Sequence, residues 1–363
     1  MATVTTNRVF NFSAGPAVLP LPVLEQIRDE MLSIGGAGAS ILEISHRSAE
    51  FGAILDDAKQ RITDLLSIPD THDVLFLQGG GRLQFSMVPM NFLSEGGTAD
   101  YVVTGSWTKK AVDEAKKVGN VNVIWDAKDT NYDRAPTELS VTANSAYTYY
   151  TSNETIQGVQ FQTEPEAGPA PLICDASSDF MCRPLPVANY GMIYACAQKN
   201  AGPSGVTVVV IRKDLLERGS DQLPGYCNYK SHADNGSMFN TPPTFGVYVV
   251  GLIAKWLQEQ GGLIAIEKQN RDKAKLLYDV IDGGDFYTGH AQSADRSMMN
   301  VTFKLPNDEL QSKFVEGAAE RSLCNLKGHR SVGGIRASIY NAMPVEGVQS
   351  LSDYMVEFAK QHG

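Results

Sequence analysis

Cysteine is scarce in this chain and clustered basic charge is missing. Only five cysteines occur among 363 residues. They are Cys174, Cys182, Cys196, Cys227 and Cys324. The count is odd and no CxxC pair is present, which argues against a disulfide framework and a zinc site. Buried free thiols in a reducing compartment are the plain expectation. No stretch approaches the ~18 apolar residues of a membrane span. The opening residues, MATVTTNRVFNFSAGP, lack the apolar core of a secretory signal. Together these point to a cytoplasmic protein. The formal net charge is −10, which disfavours general nucleic-acid binding. It leaves room for an anionic small molecule, because screening over about 8 Å lets a local arginine cluster outweigh a distant acidic surface.

What is present describes a two-domain α/β protein. A single core stops growing near roughly 250–300 residues, so 363 residues predict two domains. Helical spacing covers residues 22–34 and 50–68. The buried strand DVLFL at 73–77 then runs into QGGGR and a helical stretch, LQFSMVPMNFL. Strands and helices keep alternating through 101–104, 106–118, 122–125, 146–151, 172–174, 192–197 and 206–211. Several of these strands are apolar on both faces, the mark of a mostly parallel sheet. Residues 245–260 and 263–281 predict two long helices. The charges of the second (EKQNRDKAK) read as a solvated face. After about residue 297 the pattern becomes strand, helix, strand, which predicts a smaller α+β unit. The expected division is a large cofactor-binding domain at 16–260 and a small domain from 1–15 and 261–363.

Polar groups recur where predicted strands end, the place where open α/β sheets bind ligands. Asp175 ends one strand. It suits a metal ligand, a base, the partner of a cationic ring, or simply a helix cap. Lys199 lies between two apolar strands in YACAQKNAGPSGVTVVVI. Lysine is rarely buried without a partner, and burial makes its amine nucleophilic. A solvated turn lysine is the bland alternative. Taken together, Asp175 and Lys199 match the needs of pyridoxal phosphate: a covalent anchor and an anion for the ring nitrogen. No metal-ligand cluster accompanies Asp175. Gly79, Gly80, Gly81 and Arg82 offer backbone N–H groups at a helix start, a phosphate cup that is neither a P-loop nor a dinucleotide fingerprint. Trp107 in TGSW could stack on a cofactor or pack helix on sheet. His46 and Arg47, and His329 and Arg330, form two HR pairs. With Arg336 they suggest a doubly anionic ligand. Arg336 sits in an otherwise apolar strand, where a charge needs a partner.

The segments NFSAGPAVLP, EISHRSAEF, LQGGGRLQFSMVPMN, TGSW, SNETIQG, CDASSDF, AQKNAGPSG, NTPPTF and KGHRSVGGIRASIYNA, in this order, resemble the phosphoserine aminotransferase family. The resemblance spans nearly the whole chain. It implies the aspartate-aminotransferase type of pyridoxal-phosphate fold and a homodimer with shared active sites. It implies that Lys199 anchors the cofactor and moves the substrate's α-proton, that Asp175 pairs with the ring nitrogen, and that Thr155 bonds near the ring's phenolic oxygen. Trp107 would stack on the ring. Gly81, Arg82 and Gln198 would hold the phosphate, with Asn240 and Thr241 reaching it from the other subunit. Arg336 would clamp the α-carboxylate and Arg47 would bind glutamate. His46, Arg82, His329 and Arg330 would share the substrate phosphate or distal carboxylate.

The implied reaction is reversible amino transfer between L-glutamate and 3-phosphohydroxypyruvate. It yields 2-oxoglutarate and O-phospho-L-serine for serine synthesis. Some members also act on a phosphohydroxythreonine precursor of vitamin B6, and the motifs do not separate the two. Residues 127–145 and the segment EPEAGPAPLIC depart from the family pattern without touching an assigned residue. The competing readings are another aminotransferase or desulfurase of this fold, a non-enzymatic phosphate-binding α/β protein, and a nicotinamide dehydrogenase. The first has no need of two HR pairs, the second leaves Lys199 unexplained, and the third lacks its fingerprint.

Overall fold

A computed structural model describes residues 8–363; the first seven residues of the expected small-domain segment 1–15 lie outside it. Its centre is a seven-stranded sheet. Across the sheet the strands run His72–Leu77, Thr207–Arg212, Met192–Cys196, Leu172–Asp175, Thr148–Thr151, Thr98–Val103 and Asn120–Asp126. Thr207–Arg212 is antiparallel to both neighbours, and every other pairing is parallel. The inner strands are buried except at the ends Thr98 and Arg212, as their continuous Val, Ile and Tyr runs require.

Helices cover both faces. On one, Ala49–Leu66 packs against Thr244–Glu259 at a close crossing, where a Cβ on Gly251 would lie 3.2 Å from that of Ala58. On the other, Gly80–Phe92 and Ser106–Ala115 cover a core rich in tyrosine. A further core gathers Phe12, Ala274, Leu277, Phe303, Phe314, Ile335, Met355 and Phe358. Around it lie the three-stranded sheet Thr288–Gly289, Asn300–Lys304 and Ile335–Ser338 and the helices Asp308–Glu320 and Val345–His362. The helix Gly262–Asp282 serves both cores: Leu263 and Ile266 pack on the large one, Ala274 and Leu277 on the small one.

The charged tract of that helix forms the expected solvated face at Lys268, Arg271, Asp272 and Lys275, with one exception among the charges, Lys273, that needs correcting. Asn270 and Lys273 are buried, and Lys273 Nζ donates to the carbonyls of Ile339, Tyr340 and Met343 at 2.8–3.1 Å and of Asn341 at 3.4 Å. Both residues continue the inward stripe Ile266, Asn270, Lys273, Leu277, Ile281, so position on the stripe decides burial and the carbonyls accommodate the charge. Three cysteines are buried, while Cys227 and Cys324 are only partly so. No helix among the described residues is long and apolar enough to cross a membrane.

The N-terminal segment ties the two halves together. Phe10–Asn11 pairs in parallel with Leu323–Cys324 of the small unit. Further on, Ala14 accepts a hydrogen bond from the Tyr340 hydroxyl (2.8 Å), and Ala17 N–H donates to the carbonyl of Gln198 (2.9 Å).

Candidate active site

Six of the seven strands run in the same sense and end at one edge of the sheet, and the polar tips foreseen in the sequence meet there. After His72–Leu77, Gly79 adopts φ +90° and a Cβ on it would fall 2.5 Å from Leu83 Cδ2. Only glycine fits, and the chain turns at once into the helix Gly80–Phe92. That helix begins three residues before the expected Leu83, so the N–H groups of Gly81 and Arg82 belong to its open first turn.

After Thr98–Val103, Gly105 leads into Ser106–Ala115 with no side-chain cap of its own. The cap comes from Glu154, a residue the sequence reading passed over. Its buried carboxylate accepts N–H bonds from Trp107 (3.0 Å) and Thr108 (2.8 Å) and the Thr108 hydroxyl (2.9 Å). A Cβ on Gly105 would lie 2.5 Å from the Glu154 carboxyl carbon. Burial pushes this carboxyl above its ordinary pKa while the bonds to Thr108 and Trp107 pull it back. The missed signal was a pair of facts: a helix start without a cap in GSW, and a carboxylate three residues beyond the buried strand Thr148–Thr151.

Lys199 Nζ donates to the hydroxyl of Thr155 at 2.7 Å and lies 5.4 Å from the centre of the Trp107 ring. Asp175 Oδ1 accepts the N–H of Ser177 at 2.9 Å, and Ser177 Oγ accepts that of Cys196 at 3.2 Å. Tyr149 and Tyr194 share a hydroxyl–hydroxyl bond of 2.6 Å. Burial, then the charge of Asp175, raises both phenol pKa values. Lys199, Asp175 and Ser177 face a cavity of about 270 Å³ lined also by Gly81, Arg82, Trp107, Thr155, Gln198, His329 and Arg336. A larger cavity of about 740 Å³ lies between residues 135–139 and 161–166, which overlap the two segments that depart from the family pattern, 127–145 and 164–174. It holds Glu138, Glu164, Glu166 and Asp295 but no lysine or arginine, so the chemistry favours the smaller one.

Cations gather at and beside the smaller cavity, where Asp175 is the one carboxylate among the lining residues. Arg336, on Ile335–Ser338, reaches the Thr155 carbonyl only at 3.5 Å. Burial lowers its pKa. His329 is also lowered, by burial first and then by the repulsion of Arg336, Lys110 and Arg330. Among the described residues, no ion pair includes Arg82, Lys110, Lys199, His329, Arg330 or Arg336. Five expected residues lie outside the cavity lining of a single chain, and Arg330 is one of them, exposed next to His329. His46 and Arg47 are on the turn before Ala49–Leu66. Asn240 and Thr241 contact Gln78, beside the glycine turn.

This fold, with a lysine and an aspartate at adjacent strand ends, defines a pyridoxal-phosphate transferase. The profile of aminotransferase class-V matches residues 9–351, and the chain belongs to that family. Its relatives place it more narrowly. A phosphoserine aminotransferase of Rhodopirellula baltica is 57% identical over 98% of this chain and 96% of its own. The solved phosphoserine aminotransferase of Bacillus circulans subsp. alkalophilus superposes with a TM-score of 0.96 at 47% identity, covering 98% and 99% of the two chains. That of Trichomonas vaginalis, solved with pyridoxal phosphate bound, gives 0.92 at 41% identity over 96% and 100%.

The cofactor of this enzyme is pyridoxal phosphate, and the residues fit it. Lys199 presents a primary amine to the cavity and Asp175 a buried carboxylate. The Trp107 indole N–H is buried without an acceptor. At Gly81 a Cβ would enter the cavity, 3.6 Å from Ser177 Oγ and 4.0 Å from Asp175 Oδ2.

Proposed function

We propose that the protein is a phosphoserine aminotransferase that moves an amino group reversibly between L-glutamate and 3-phosphohydroxypyruvate, forming 2-oxoglutarate and O-phospho-L-serine for L-serine synthesis. The phosphohydroxythreonine precursor of vitamin B6 carries the same anionic groups and is a second substrate to test. The observation behind this reading is the set of unpaired cations at the Lys199 cavity in a chain of net charge −10. A ligand with two anionic ends satisfies it; a neutral amino acid does not.

In this reading Lys199 anchors the cofactor and then carries the proton to and from the substrate's α-carbon, where Thr155 helps hold the amine. Bound pyridoxal phosphate supplies the electron sink that makes that proton removable. Asp175 keeps a positive charge on the ring nitrogen, and Trp107 covers the ring. Gly81, Arg82 and Gln198 take the cofactor phosphate. Arg336 clamps the α-carboxylate, half-buried where water competes little. His329, Arg330 and Arg82, with His46 and Arg47, take the phosphate or the distal carboxylate. One arginine set thus serves both half-reactions.

Asn240, Thr241, His46 and Arg47 come from the second subunit of a homodimer. The exposed Leu32, Leu42 and Phe239 near them in sequence support a covered surface. The two hydrophobic centres support a cofactor-binding domain at 16–260 and a small domain from 1–15 and 261–363. The enzyme is cytoplasmic in this reading.

A visible spectrum tests it. The cofactor band should be bleached by glutamate and restored by 3-phosphohydroxypyruvate. A band indifferent to both would move the assignment to another amino donor.

A further inference from the structure

We infer that Lys110 is a specificity-determining residue that reads the phosphate of the substrate, an inference that rests on the substrate reading above. It stands on the helix Ser106–Ala115, one turn after Trp107, and no part of the sequence reading singled it out. Its Nζ lies 4.1 Å from the centre of the Trp107 ring. The same ring has the Arg82 guanidinium at 5.8 Å and Lys199 Nζ at 5.4 Å. One indole can favour a cation over its face, but three like charges around it repel one another. The repulsion is felt at Lys110, whose pKa is lowered by burial and then by Arg82, with Arg330 adding to it.

The buried Glu154 carboxylate attracts Lys110 but already accepts three hydrogen bonds at the helix start. Lys110 enters no ion pair among the described residues, although the chain carries 41 acidic side chains to choose from. Lys110 does not itself line the Lys199 cavity but neighbours three residues that do, Trp107, Arg82 and His329, and a cation there outside any ion pair is placed for an anion that arrives with the substrate. A phosphate monoester carries about −1.5 to −2 near neutral pH, against one charge on a carboxylate. One more positive charge therefore favours the phosphorylated substrate over glutamate.

The test is Lys110→Met, which keeps the alkyl stem on Trp107 and removes the charge. Wild-type enzyme is first compared on 3-phosphohydroxypyruvate and on hydroxypyruvate. Without a preference for the phosphorylated acid, the substrate reading itself falls and the lysine's role with it. Given that preference, the variant should raise KM for 3-phosphohydroxypyruvate at least about tenfold, the loss of one hydrogen bond between charged groups. KM for glutamate should rise by no more than about threefold, as befits one fewer charge on the ligand. The salt dependence of the first KM should flatten, and Lys110→Arg should restore most of the loss. Equal changes in both KM values, or no change in either, would mean that Lys110 only packs on the indole and would overturn the proposal.

Discussion

A lysine serves as a covalent anchor only where its amine faces a cavity and is steered by a fixed partner. Lys199 meets both conditions through Thr155. Lys199→Ala should give a folded protein with no cofactor absorbance after pyridoxal phosphate is added; normal turnover in that variant would sink the assignment. Arg336→Ala should weaken glutamate and phosphoserine together, by about tenfold or more in each KM, because both carry the α-carboxylate. Asp179 makes a pH prediction. Burial pushes its pKa up to about 6, despite bonds from Ser152 and Gln160. A carboxyl raised above its unfolded value of about 3.9 favours the native state while protonated. That contribution is full below pH 3.9 and is lost as the pH rises through 6. Asp179→Asn should therefore flatten the stability profile, removing about 1 kcal/mol of change between pH 5 and 8 in urea unfolding. At this scale Lys199 and Asp175 were legible because each is a polar tip on an apolar strand. Glu154 was not, since its role depends on a helix 46 residues away in sequence that lacks its own cap.

Elements were read well where they are long and apolar and poorly where they are short or charged. The sheet strands were recognised because both faces are buried and the signal is unbroken. The two-residue pairs Asn153–Glu154 with Val159–Gln160, and Phe10–Asn11 with Leu323–Cys324, carry too few side chains for a pattern and depend on distant partners. The helix Val345–His362 went unread despite its inward stripe of Val348, Leu351, Met355 and Phe358. Lys273 was misread because its charge was weighed above its place on the stripe. Lys273→Met should lower stability by about 2 kcal/mol, by stranding buried carbonyls, and urea unfolding would measure it. Glu154→Gln puts an amide donor against N–H donors at the start of Ser106–Ala115. It should weaken pyridoxal-phosphate affinity several-fold through Trp107, read by equilibrium titration of the apoenzyme's tryptophan fluorescence. An unchanged affinity would reduce Glu154 to a simple cap.

On the scale of the whole molecule, one chain does not bring His46, Arg47, Asn240 and Thr241 to the Lys199 cavity. In the dimer proposed above, a sequence read alone does not reveal which copy would supply them. Complementation does. Lys199→Ala and Arg47→Ala homodimers should each be nearly inactive. Reassorted at equal amounts, they should recover about a quarter of wild-type activity, since half of the dimers then hold one intact site. No recovery would place Arg47 in the same subunit as its Lys199. The N-terminal segment has a consequence of a different kind, in time rather than space. Asn11 takes the side-chain amide of Asn325, a separation of 314 residues, and among the described residues its strand pairs only with Leu323–Cys324. Chains emerge from the ribosome at about 5–20 residues per second, so this early segment waits on the order of a minute for its partner. Gly15, against the stem of Lys199, and Ala17, bonded to Gln198, lie on the same stretch. With Lys199 as the anchor proposed above, the strand pairing that finishes fixing this stretch over it forms only near the end of synthesis.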